Sequence, residues 1–173
     1  MDTFFEQIVP IRKTGKSWAA LIGIWFAAIV LIYICVFTVV AAYLGFLSFL
    51  LVAGVIYGAY KLSARFSIEY EYIITNGIMD IDKIIAKSSR KRVASFDLAN
   101  VDRLEKFNPN ARPVGNFAKT VIACDENDPD AYLMVITTEG KGSTLAVFAP
   151  DERIRNATVK FLPKFIANRA FKD

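Results

Sequence analysis

The sequence contains no histidine. This removes the commonest general base, the commonest metal ligand and the usual switch near neutral pH. There are only two cysteines. Cys35 lies in the middle of an apolar segment and Cys124 in the polar half of the chain, so no disulfide between them is expected. Two unpaired thiols fit a reducing compartment. There is no glycine-rich phosphate loop, nucleophile elbow or metal-ligand spacing. Without a histidine to activate it, Cys124 reads as a small core residue. No enzyme, cofactor or metal site is therefore expected. Lysine and arginine outnumber aspartate and glutamate only by 21 to 17, too even a balance for the basic face of a nucleic-acid binder. The acidic run Asp125, Glu126, Asp128 and Asp130 lacks the spacing and closing glutamate of a calcium loop, and reads as a polar turn.

Charge is also missing from one long block. Between Trp18 and Tyr60 no residue is ionisable as an acid, lysine or arginine. A single helix over this block would be about 65 Å long, roughly twice a bilayer core. Two helices in a hairpin fit better, at about Trp18–Val40 and Leu44–Tyr60, with a turn near Ala41–Gly45. Arg12, Lys13 and Lys16 precede the block, and Lys61 and Arg65 follow it. Basic flanks at both ends place both in the cytoplasm, which needs an even number of crossings. The block is too long for the apolar region of a cleaved signal peptide. Trp18, Tyr43, Tyr57 and Tyr60 fall where aromatic rings favour the membrane interface. The expected location is the cell membrane, with two passes and both termini cytoplasmic. Without a charge in the block, transport or proton relay has no residue to carry it. Gly54 and Gly58 form a small-xxx-small pair, which serves either a homodimer contact or packing within the hairpin.

Beyond the block the chain is β-patterned. Phe66 to Thr75 alternates apolar and polar residues, the mark of a half-buried strand. It runs into Asn76-Gly77, the favoured pair for a tight hairpin turn. Further strands are expected at about Ile78–Ala86, Arg92–Leu98, Val101–Phe107, Lys119–Cys124, Ala131–Thr138 and Thr144–Phe148. Turn-rich stretches separate them, notably Asn108–Phe117, Asp125–Asp130 and Glu139–Gly142. Asp80 and Asp82 alternate along their strand and are expected to face water. The last segment changes period: Ile154, Ala157, Phe161 and Phe165 recur at helical spacing. Pro150, Asp151 and Glu152 suit a first turn, and Pro163 should end the helix near Leu162.

Seven strands closed by a C-terminal helix is the order of a pleckstrin-homology-like barrel. The stretch Tyr70-Glu71-Tyr72-Ile73-Ile74-Thr75-Asn76-Gly77 resembles bacterial pleckstrin-homology-like domains. So does Arg90-Lys91-Arg92 leading to Ser95-Phe96-Asp97-Leu98 and Val101. Met1-Asp2-Thr3-Phe4 through Lys16, with the layout of the whole chain, is similar to small two-span membrane proteins of clostridia-type bacteria. The resemblance covers nearly the full length. Its motifs are structural, so it implies fold and topology and carries over no functional residue.

The conspicuous charge cluster is Lys83, Lys87, Arg90, Lys91 and Arg92. In lipid-binding pleckstrin domains the basic residues surround the first hairpin loop. Here that loop is the tight Asn76-Gly77 turn, and the cluster comes one hairpin later. The cluster is a candidate contact with anionic lipid headgroups, at about 1 kcal/mol per residue near a membrane surface, or else a solvated turn guarding a strand edge. The C-terminal helix either packs on the sheet or lies on a membrane.

The expected architecture is thus a cytoplasmic N-terminal segment (1–17), a transmembrane helical hairpin (18–60) and a mainly β domain (61–173), a pleckstrin-homology-like barrel of about seven antiparallel strands with a C-terminal helix. The expected role is a protein-binding or scaffolding module, with peripheral contact to anionic lipid as the alternative. The bilayer and a protein partner are the expected contacts, with a homodimer as a further option and no nucleic acid.

Overall fold

The computed structural model describes residues 3–37, 43, 45, 47–111, 115–138 and 142–171. They form two compact units. One is Arg12–Ile68; the other combines Met1–Ile11 with Glu69–Asp173.

The first unit is a pair of helices, α1 (Gly15–Phe37) and α2 (Leu47–Ala64). Both are long and apolar enough to cross a membrane. Thr14 starts α1: its side-chain oxygen accepts the Ser17 N–H at 3.3 Å, the usual role of an N-cap. Each helix runs beyond the apolar block, α1 to include Lys16 and α2 to include Lys61. Long basic side chains allow this, because the stem can lie on apolar surface while the ammonium reaches water. Lys13 lies over the Trp18 ring and Lys61 over the Tyr57 ring. Most large apolar side chains of the pair are exposed, and only Leu21, Ala28 and Ala59 are buried among the described residues. Most of the expected turn at Ala41–Gly45 falls outside the described residues, as does the end of the first expected helix at Val40.

The second unit holds eight strands and two C-terminal helices among the described residues. Sheet order is β1-β2-β3-β4 in one sheet and β5-β7-β8-β6 in the other. The first sheet consists of β1 (Phe4–Pro10), β2 (Ile68–Thr75), β3 (Ile78–Ile85) and β4 (Ser89–Asp97). The second consists of β5 (Val101–Lys106), β6 (Lys119–Ile122), β7 (Tyr132–Thr138) and β8 (Gly142–Phe148). Helices α3 (Glu152–Phe161) and α4 (Lys164–Ala167) follow.

Three expectations are corrected. Residues 1–17 are not a separate segment: Phe4–Pro10 is an edge strand of the domain, paired antiparallel with β2 from Phe4↔Thr75 to Pro10↔Glu69. The strand count is eight rather than seven, and β6 pairs parallel with β8. Finally, the two sheets do not close into a barrel. Among the described residues no backbone hydrogen bond joins β4 to β6.

The core lies between the sheets. Tyr72, Ile74, Met79 and Ile81 from the first sheet meet Met134 and Phe148 from the second, all of them fully buried. The Tyr72 hydroxyl sits inside this core and is fully used. It donates to the Ala123 carbonyl at 2.7 Å and accepts the Ala149 N–H at 3.2 Å, and these two bonds offset the cost of burying the hydroxyl. The second sheet is buried on its other face too, where Leu133, Leu145, Val147 and Cys124 cluster.

Asn76 and Gly77 both have positive φ, 48° and 88°, as a type I′ turn requires. The turn is pressed against α3, since a Cβ on Gly77 would lie 3.1 Å from the Phe161 ring. The Asp151 carboxylate caps α3 by accepting the Ile154 N–H at 2.8 Å. Gln7 on β1 reaches the same corner, accepting from the Asp151 N–H at 2.8 Å and donating to the Ala149 carbonyl at 3.1 Å. As expected, α3 ends at Leu162 before Pro163. Its apolar stripe packs inward through Ile154, Ala157 and Leu162, while Phe165 on α4 stays 66% exposed.

Candidate functional site

The basic cluster is divided by a single irregularity in β4. Ile81 pairs with Ala94, but the next residue, Asp82, pairs with Arg92. Val93 is therefore an extra residue, a bulge. A bulge bends its strand and re-aims the side chains beyond it. Arg90 and Arg92 fall on one face of the sheet, and Lys91 on the other.

On the outer face the arginines are neutralised. Arg92 donates to Asp82 at 3.0 Å and lies 2.9 Å from Asp80. Arg90 donates to Glu71 at 2.9 Å, and Lys87 lies 4.0 Å from Glu69. The two aspartates expected to face water are thus covered by Arg92, and Asp82 is buried. Glu71 is fully buried, and its second oxygen has no hydrogen-bond partner among the described residues. Burial first, then the Glu6 carboxyl beside it, pushes the Glu71 carboxyl above its ordinary range, with Arg90 opposing. Lys87 and Arg90 line a hollow of about 420 Å³ with Ile8, Glu69 and Ile84.

On the inner face the charges are not neutralised. Tyr70, Lys83 and Lys91 continue the inward-facing rows of the first sheet beyond its core. Lys83 follows Met79 and Ile81 at strand spacing, and Lys91 sits directly opposite it. Like charges placed opposite each other on a sheet are unfavourable. Neither ammonium has an ion pair or hydrogen bond among the described residues. Lys119, from edge strand β6, joins them. Its ammonium donates to the Val93 carbonyl, the backbone group at the bulge. These residues, with Arg92 and Thr120, line a groove of about 370 Å³ whose apolar wall is Val93, Val121 and Ile122. The groove occupies the seam where β4 and β6, one free edge from each sheet, fail to meet.

Of the five cluster residues, Lys83, Lys91 and Arg92 thus gather at the seam, and Lys87 and Arg90 do not. Lys119 was not singled out by sequence reasoning, because only the tertiary fold brings it there. Lys83 did carry a signal: it interrupts an inward-facing apolar row.

Other candidate positions are less productive. Around Gly54 and Gly58 an added Cβ would meet nothing within 4 Å. Cys124 is buried, and burial together with the nearby Asp128, Asp125 and Glu126 charges pushes its thiol up to about 12. It is a poor nucleophile at neutral pH. The acidic run is a pair of turns, in which Asp125 accepts the Asn127 N–H and Asp128 the Asp130 N–H. A larger hollow, about 680 Å³, is a groove along α1 and α2 lined by Trp18, Leu21, Trp25, Ile29 and Tyr60. Its lining is mainly apolar, with Lys13, Ser63 and Ser67 as its polar members.

Residues 1–168 match the model of the family described as Bacterial PH-like domain (DUF6106). The chain belongs to this family. The match begins before β1 and runs past α4, so it takes in the helix pair as well as both sheets. No match is found among curated proteins or among solved structures. A PH-like domain is a scaffold on which binding surfaces are placed, so the residues of the seam must carry any argument about function.

Proposed function

We propose that the chain is a two-pass membrane protein whose PH-like domain lies in the cytoplasm and binds another protein. The observation that carries the membrane topology is the β1–β2 pairing. One strand precedes the helix pair and the other follows it, so both ends of the pair lie on one side of any membrane it crosses. The basic flanks Arg12, Lys13, Lys16, Lys61 and Arg65 support the cytoplasmic side. Both helices have the length and composition to span.

The binding role rests on the seam. Two free strand edges flank a groove with unneutralised charge, and free edges are the usual acceptors for an added segment. Peripheral lipid contact is less well supported, because Arg90, Arg92 and Lys87 are already held by carboxylates of their own sheet.

Two experiments test the reading in the full chain in its membrane. A photo-reactive residue at Thr120, in the seam, should give a discrete protein adduct that the same residue at Glu152, on α3, does not. Adducts with lipid alone would favour the alternative, and no adduct would overturn the seam as a binding site. A membrane-impermeant thiol reagent should label Tyr43→Cys in intact cells and leave Ser88→Cys unlabelled. The reverse pattern would overturn the orientation.

A further inference from the structure

We infer that the seam takes an extended, acidic segment of a partner protein, laid along the free edges of β4 and β6 with its carboxylates against Lys83, Lys91 and Lys119. This rests on the seam being the protein-binding surface and adds the chemistry of its occupant.

Three features point to it. The first is charge. Lys83 and Lys91 face each other with no counter-ion among the described residues, whereas every arginine on the opposite face has a carboxylate. The domain has neutralised one face and left the other positive, and a carboxylate between the lysines would relieve the repulsion. The second is the backbone. The Val93 carbonyl at the bulge accepts from the Lys119 ammonium, which reaches it from the far side of the seam. That ammonium occupies the position an incoming backbone N–H would take. The third is the wall. Val93, Val121 and Ile122 supply apolar contact, and Ile122 is 38% exposed. An extended chain puts alternate side chains on opposite faces, so acidic and apolar residues in alternation meet both parts of the groove. An isolated anionic headgroup would use the lysines and leave the edges and the apolar wall unmet. A lysine at a bulged edge also deters neutral or basic strands, so the same device that guards the edge selects for acid.

The test uses the full chain in detergent micelles and a fluorescent alternating Glu-Val peptide of about eight residues, long enough to be one strand. The expected result is binding, weakened about tenfold in the triple variant Lys83→Ala, Lys91→Ala, Lys119→Ala, and weakened by a similar factor when alternate peptide amides are N-methylated. The three lysines lie outside the core, and a Tm within about 2 °C of the parent shows that the variant is folded. An alternating Lys-Val peptide should not bind. Binding insensitive to N-methylation would overturn strand addition. Binding of inorganic phosphate or of anionic vesicles at the lysines, with none of the peptide, would overturn the acidic-strand inference. If the Thr120 protein adduct nonetheless forms, the seam remains a protein-binding surface and only the chemistry assigned to its occupant is wrong. If that adduct also fails, both readings fall.

Discussion

The two units of this chain treat apolar residues in opposite ways. In the domain, side chains such as Ile74, Met134 and Phe148 are fully buried between sheets, and charge is kept to surfaces or paired. In the helix pair, Trp18, Phe26, Ile29 and Phe49 all lie more than half exposed. The domain obtains its stability from removing apolar surface from water. The helix pair cannot, because so little of its surface is covered by protein. The proposed membrane would suit it: in an apolar surrounding its exposed side chains would carry no penalty and its backbone bonds would be satisfied within each helix.

The largest test of this contrast separates the units. Replacing residues 12–67 by a short turn should leave a water-soluble, folded domain, because Pro10 and Glu69 are paired and lie where a tight hairpin would close. Deleting Phe4–Pro10 instead should prevent folding, because Phe5 and Val9 pack against the core. It strips the edge of the first sheet and removes Gln7 from the α3 corner. Circular dichroism and a cooperative thermal transition read both outcomes. A folded domain after loss of β1 would break the comparison.

The second test asks where truncation hurts. Phe148→Ala should cost about 3–5 kcal/mol in the domain. Phe26→Ala, at a site 67% exposed, should cost less than about 1 kcal/mol in the micelle-bound chain. Denaturant titration of each gives the difference. Gly77→Ala comes next, at about 1–3 kcal/mol, since the residue needs φ of 88° and its new methyl would crowd Phe161. Asn76→Gly, at the same turn, should be close to neutral.

The smallest effect is a pH slope. The Glu71 carboxyl is raised from its ordinary value of 4.5 by burial and by Glu6. A group raised on folding contributes stability below the unfolded value and loses it as pH rises through the folded one. The domain should therefore gain Tm as pH falls from neutral towards 4.5, and Glu71→Gln should flatten that gain while raising Tm at pH 7 by on the order of a few degrees. Asp151 runs the other way. Desolvation raises it, but the Ile154 amide and Arg153 outweigh this and bring it below 3.8, so its contribution is lost as pH falls through that lower value. Asp151→Asn, which keeps a capping oxygen, should flatten only the acid limb.

Much of this fold could be read from local pattern. The β2–β3 hairpin announced itself through strict alternation into Asn76-Gly77, and α3 through its period and its stop at Pro163. What escaped was non-local. β1 reads Phe-Phe-Glu-Gln-Ile-Val-Pro, where Gln7 points inward because it serves the α3 corner, so apolar alternation fails. Its partner lies beyond the whole helix pair. The parallel β6–β8 pairing and the approach of Lys119 to Val93 likewise join segments that share no local signature. The basic cluster was legible as a cluster, but the bulge at Val93 that divides it into a neutralised and a free face was not, because alternation cannot reveal a single inserted residue.

The β1–β2 pairing also sets a timetable. A ribosome makes β1 first and reaches β2 only after both helices have emerged, on the order of 3–12 s later at ordinary rates of synthesis. Until then the first strand has nothing to pair with. If only one helix entered the proposed membrane, β2 would emerge on the far side and the sheet would never close. Completion of the domain would then report that the hairpin had been inserted correctly, and a chain that failed the crossing would be left with two unpaired strand edges for quality control to find.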